Sequence, residues 1–109
     1  MLGFGFLEKV YENALLVELA RAGIRVEQQK SLQVKYRGAI VGDYFADLVV
    51  EEKLLVEIKS IERTVPEHSA QVLNYLRATG LRVGLLLNFG PTRLGISRLV
   101  NGHDEDDPI

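Results

Sequence analysis

The sequence predicts an α/β domain: a helix, a three-stranded antiparallel meander, a second helix, a parallel fourth strand and a fifth strand at the edge. Three observations carry this. Leu7, Val10, Tyr11, Ala14, Leu15, Leu19 and Ala22 recur at helical spacing and Gly23 ends the run. Between residues 24 and 60 the strand-like runs are joined only by Arg37-Gly38 and Glu51-Glu52, connections too short for anything but antiparallel neighbours. A helix-length segment then leads into residues 81–89, which are almost wholly apolar, as strands buried on both faces are. Strand, helix and strand in that order make a right-handed crossover.

Taken in order, the first helix is expected over residues 6–22. Glu8 and Glu12, four residues apart, lie on one side of it at the margin of the apolar stripe, where carboxylates are usually solvated. Glu18 falls within the stripe. Residues 24–36 alternate apolar and polar at Ile24, Val26, Leu32, Val34 and Tyr36, and the polar Glu27-Gln28-Gln29-Lys30-Ser31 between them predicts a strand bent or bulged in its middle. The second strand is expected over residues 39–50 with Gly42 as a weak point, and the third over residues 53–60. Thr64 reads as the N-cap of the second helix, with Pro66 in its first turn and Glu67 completing a capping box. That helix runs to Thr79 and stops at Gly80. Val72, Leu73 and Leu76 form its stripe, and Gln71 and Tyr75 project together beside it. Residues 94–100 can add the edge strand, and residues 101–109 form an acidic, frayed tail behind a single domain of residues 1–100. His68 and His103 read as surface residues.

A chain of 109 residues with 47% hydrophobic and 26% charged side chains has the make-up of one ordinary globular domain. It has no cysteine, so any metal must be held by oxygen or by the two histidines, which favours magnesium, manganese or calcium over structural zinc. The net charge of −2 gives no global attraction to nucleic acid, although a local basic track of Arg63, Arg77, Arg82, Arg93 and Arg98 is compatible with it. No stretch is long and apolar enough to span a bilayer, and the start lacks a secretory pattern, so a cytoplasmic location with no membrane partner is expected.

The stretch richest in chemistry is Leu54-Leu55-Val56-Glu57-Ile58-Lys59. Alternation places Leu55, Glu57 and Lys59 on one strand face and Leu54, Val56 and Ile58 on the other. An isolated Glu-x-Lys is often only an ion pair on a half-exposed strand. Here the flanks are apolar, and buried charges are costly unless they are paired or bind a metal. Asp47, on the preceding strand, would bring a second carboxylate to the same sheet face.

Helix, three strands, helix and strand, with Asp on the second strand and Glu-x-Lys on the third, resembles the PD-(D/E)XK nuclease superfamily. Gly5-Phe6-Leu7-Glu8-Lys9-Val10-Tyr11-Glu12-Asn13-Ala14-Leu15 resembles the opening motif of its GxxExxY family, as do Glu57-Ile58-Lys59, Gln71-Val72-Leu73-Asn74-Tyr75-Leu76 and Gly84-Leu85-Leu86-Leu87-Asn88-Phe89-Gly90. The resemblance implies a restriction-endonuclease-like core. It also implies that Asp47, Glu57 and the backbone carbonyl of Ile58 coordinate Mg2+ or Mn2+, with Lys59 acting on the attacking water. Gln71 would be a further catalytic residue and Tyr75 would position substrate beside it. A helical acid joins the metal site; the family's label points to Glu8 and the pattern of related resolvases to Glu12.

The activity so implied is metal-dependent hydrolysis of phosphodiester bonds in nucleic acid, DNA ahead of RNA. The alternative is a nuclease-like binding or assembly module with little catalysis. It is suggested by the small size, the acidic balance and a start close to Leu2-Gly3-Phe4-Gly5, where family members carry a further helical segment. The apolar last strand would leave an edge for pairing with a second copy, so a homodimer is expected.

Overall fold

The computed structural model describes residues 4–90 and 93–101. Its elements are α1 (Phe4–Arg21), β1 (Val26–Tyr36), β2 (Ala39–Val50), β3 (Leu54–Lys59), α2 (Pro66–Thr79), β4 (Val83–Asn88) and β5 (Gly95–Val100). The strands form one sheet in the order β1-β2-β3-β4-β5. Only the β3/β4 pair is parallel; the rest are antiparallel. Expected meander, crossover and edge strand are therefore all present. His103 and the tail beyond Asn101 lie outside the described residues.

The sheet is covered on both faces. Leu48, Val56, Ile58 and Leu87 pack under Tyr11, Leu15 and Leu16 of α1, while Ala46, Val49, Leu55 and Leu86 pack with Val72 and Leu76 of α2. The split follows the alternation of β3, whose Leu54, Val56 and Ile58 go to the α1 side and Leu55 to the α2 side. Gly84 lets α2 lie close on β4, since a Cβ there would stand 3.0 Å from Val72 Cγ1 and 3.4 Å from Leu76 Cδ1. Tyr11 stacks on Phe89 with ring centroids 4.5 Å apart, tying α1 to the end of β4. No helix among the described residues is long and apolar enough to cross a membrane.

Both hairpins close through residues with positive φ, Arg37 and Gly38 in one and Glu51 (52°) and Glu52 (59°) in the other. This is the geometry that matches strand twist, and it strains residues other than glycine. Glu51 has compensation, because its carboxylate accepts the Arg25 N–H at 3.0 Å. Among the described residues, Glu52 makes only an exposed ion pair with Arg25 at 3.4 Å. Glu52→Gly is accordingly expected to stabilise the fold by about 0.5–1 kcal/mol. The check is a higher urea midpoint at unchanged m-value; a midpoint at or below that of the parent chain would contradict the strain.

Several local expectations are corrected. The N-cap of α2 is Val65 (φ −117°, ψ 162°), not Thr64, and Pro66 is the first helical residue. A proline disfavours helical backbone in the residue before it, so Val65 must stand outside the helix and Thr64 is too early. His68, not Glu67, supports the cap, its Nδ1 accepting the Val65 N–H at 3.0 Å. It is half-buried instead of lying free on the surface. Glu18 is exposed, whereas Glu12 is buried with 3% of its surface accessible, the reverse of what the helical stripe suggests. At the other end of α2, Gly80 (φ 81°) donates its N–H to the Leu76 carbonyl, and Asn101 Nδ2 caps the Leu76 and Leu81 carbonyls at 3.2 and 3.3 Å.

Candidate active site

The site begins where the sheet splits. β2 and β3 pair from Val50↔Leu54 to Leu48↔Val56 and no further, while β3 stays paired with β4 as far as Lys59↔Asn88. The next cross-strand pair would be Asp47 and Glu57. Instead, Asp47 Oδ2 takes the Ile58 N–H at 2.8 Å, so a side chain replaces the backbone partner and the strands part at two carboxylates.

Asp47 also marks a roll in β2. Ala46 belongs to the core under α2 and Leu48 to the core under α1, although residues two apart on a regular strand share a face. The neighbouring strand turns at the same level. Gln28 pairs with Leu48 and Lys30 with Ala46, which puts Gln29 opposite Asp47, and Gln29 has φ 50°. That conformation lets two consecutive side chains reach one acceptor on α1. Gln28 Nε2 donates to Glu12 Oε2 at 2.6 Å, and Gln29 Nε2 lies 3.1 and 3.2 Å from the two Glu12 oxygens. Lys9 Nζ adds a third donor to Glu12 at 3.0 Å. Gln29 Nε2 is also 3.2 Å from Asp47 Oδ1, so it links the carboxylates of α1 and β2.

Glu57 is 9% exposed, and its Oε1 is buried with no hydrogen-bond partner among the described residues. Burial pushes its carboxyl up to about 7; the Lys59 ammonium and the Asp47 backbone pull it back down, and the negative charges of Glu12 and Glu8 push it further up. Burial likewise raises Asp47, against the Ile58 hydrogen bond, with Glu12 repulsion adding to the rise and Gln29 and Lys59 opposing it. Asp47, Glu57, Lys59, Glu12 and Glu8 thus share one electrostatic neighbourhood. The end of β3 is held by Phe89 N–H bonding the Lys59 carbonyl at 2.8 Å and by buried Asn88, whose Oδ1 accepts the Ile61 and Gly90 N–H groups, each at 3.0 Å. Gly90 presses so closely on the Ile61 carbonyl that no side chain fits there.

Gln71 and Tyr75 meet as their spacing requires, Gln71 Nε2 donating to Tyr75 Oη at 2.9 Å, and the Tyr75 ring stacks on Tyr44 with centroids 3.4 Å apart. Among the described residues neither is hydrogen-bonded to Asp47, Glu57 or Lys59. Gln28, Gln29 and Asn88 are the polar residues that sequence reasoning passed over. The signals available were two adjacent glutamines interrupting an alternating strand and one asparagine ending an apolar run.

A buried carboxyl oxygen without a donor, on the residue where β3 parts from Asp47, suits a hard divalent cation. Among the described residues no three carboxylate or imidazole side chains converge tightly enough to enclose such an ion alone. Two carboxylates completed by backbone, water and substrate oxygens are how magnesium is usually held. The donor set therefore fits.

A mixed sheet between two helices, split at a pair of carboxylates with a lysine two residues beyond the second, defines an acidic, oxygen-rich site of a nuclease-like protein. The chain belongs to the PD-(D/E)XK nuclease superfamily, whose family profile matches residues 1–99. Nucleases of this superfamily generally use divalent metals. The fold is similar to the crystal structure of SSO0001, with TM-score 0.69 and 19% identity over 93% of this chain and 53% of that one. It is also similar to an alkaline exonuclease (LHK-Exo) from Laribacter hongkongensis, with TM-score 0.62 and 14% identity over 85% of this chain and 55% of the other. The chain spans about half the length of either, and at these identities the likeness is one of fold. No curated protein matches the chain in sequence.

Proposed function

We propose that the chain is a metal-dependent nuclease-like protein of the GxxExxY branch that hydrolyses phosphodiester bonds, with DNA preferred to RNA. The observation that carries this is the unpartnered, buried Glu57 Oε1 beside Asp47 at the split between β2 and β3. Asp47, Glu57 and the Ile58 carbonyl are the groups that would hold Mg2+ or Mn2+. When bound, the ion supplies Lewis-acid activation of a phosphoryl oxygen and of water. Lys59 orients the attacking water and stabilises negative charge developing on the phosphoryl oxygens. Of the two acids on α1, Glu12 serves the site through Gln29, and half-buried Glu8 acts through its field on Glu57. Gln71 would contact substrate beyond the metal, a reading supported by its exposure and its hydrogen bond to Tyr75.

The test is thermal. An ion that binds only the folded chain raises its stability by roughly 1.4 kcal/mol per tenfold excess over the dissociation constant. Melting should move upward with millimolar Mn2+ or Mg2+, and Asp47→Asn should shrink that shift. A flat titration with calorimetry also silent would sink the proposal. The second reading, a binding or assembly module, draws on the net charge of −2. Salt-dependent binding of nucleic acid without turnover would favour it.

The homodimer belongs to the same proposal. Leu94 and Ile96, at the free β5 edge, are 45% and 63% exposed. Light scattering across the micromolar range should show twice the monomer mass, and Ile96→Lys should halve it. A monomer mass for the parent chain throughout would refute the pairing.

A further inference from the structure

Gln29 combines two features that local stability does not explain. It holds a left-handed φ of 50° without being glycine, and its amide nitrogen donates between two carboxylates, Glu12 at 3.1 and 3.2 Å and Asp47 at 3.2 Å. Non-glycine residues in this region of backbone space cost free energy, and they persist where the surroundings require them. The amide has two hydrogens, enough to give one to each acid. Being neutral, it brings the acids together without cancelling their charge. A lysine in its place would supply the cation that the site would otherwise take from solution, and a carboxylate would add a third repelling charge.

We infer that Gln29 is a positioning residue that clamps Glu12 on α1 to Asp47 on β2, so that the carboxylates meet a divalent cation already oriented; this rests on the metal-dependent reading above. The clamp explains why β1 and β2 roll at the same level, since only the left-handed turn at Gln29 lets Gln28 and Gln29 both address α1. Gln28 donates to Glu12 and Asn13 and does not reach Asp47, so it secures the helix side alone. Outer partners of this kind typically change metal affinity by about 10–100-fold when removed.

Two replacements separate positioning from folding. Gln29→Gly removes the amide and relieves the backbone strain, whereas Gln29→Met removes the amide but keeps side-chain length and strain. In metal-free buffer the glycine variant should therefore melt above the methionine variant. By Mn2+ calorimetry both should lose about 10–100-fold in affinity relative to the parent chain, whatever their melting temperatures. In cleavage assays kcat should recover at saturating Mn2+, with KM for DNA little changed. An affinity that tracks melting temperature, so that the glycine variant binds Mn2+ like the parent, would show a purely structural role and overturn the clamp while leaving the metal reading in place. A parent chain that fails to bind Mn2+ would overturn both.

Discussion

Lys59→Ala is expected to lower phosphodiester cleavage by about 10²–10³-fold, or roughly 3–4 kcal/mol of transition-state stabilisation, while the chain stays folded. Lys59 ends β3, and its backbone carbonyl is held by Phe89 N–H independently of its side chain. The ammonium acts on both carboxylates, holding down the raised Glu57 and Asp47. Its loss removes the positive charge that lowers both carboxyls and leaves the two acids readier to take up protons. The measurement is cleavage of assorted DNA and RNA forms with Mg2+ or Mn2+, alongside a melting curve. Unchanged activity in a folded Lys59→Ala protein would assign the cleavage to another site or to a contaminant.

The second large effect concerns pH and Glu57. Its carboxyl titrates near 7 in the folded chain against an ordinary value of 4.5. Below 4.5 both folded and unfolded chains hold the proton, and Glu57 costs nothing. As pH rises from 4.5 towards 7 the unfolded chain ionises first, so stability falls, and above 7 the whole penalty remains, on the order of 3 kcal/mol. Asp47 is shifted in the same direction and adds to the slope. Glu57→Gln should match the parent chain at acid pH and exceed it by about 2–3 kcal/mol at pH 8 in metal-free buffer, read from urea unfolding. Saturating Mn2+ should reverse that order, because the parent chain alone keeps both carboxylates. A parent chain with the same pH slope as the variant would mean that Glu57 pays no burial penalty.

Much of this protein is determined by short-range pattern. The helical repeat of α1, the tight Arg37-Gly38 and Glu51-Glu52 turns, the apolar run of β4 and the glycine stop at Gly80 each reflect local backbone geometry, and all four stand where the spacing predicts. Asp47, Glu57 and Lys59 are legible for the same reason, as charges at alternating positions in apolar strands. Gln71 and Tyr75 meet because a helix places residues four apart side by side.

Only the tertiary structure decided what surrounds the acids. Glu12 looks solvated from the stripe of α1 alone and becomes buried when β1 delivers Gln28 and Gln29 against it, from 16 and 17 residues away in sequence. The left-handed turn at Gln29, the roll at Asp47 and the early end of β2/β3 pairing depend on one another across three strands and a helix. Single-residue preference disfavours such a turn at glutamine, and the contacts that outweigh that preference form only when the strands and α1 are brought together.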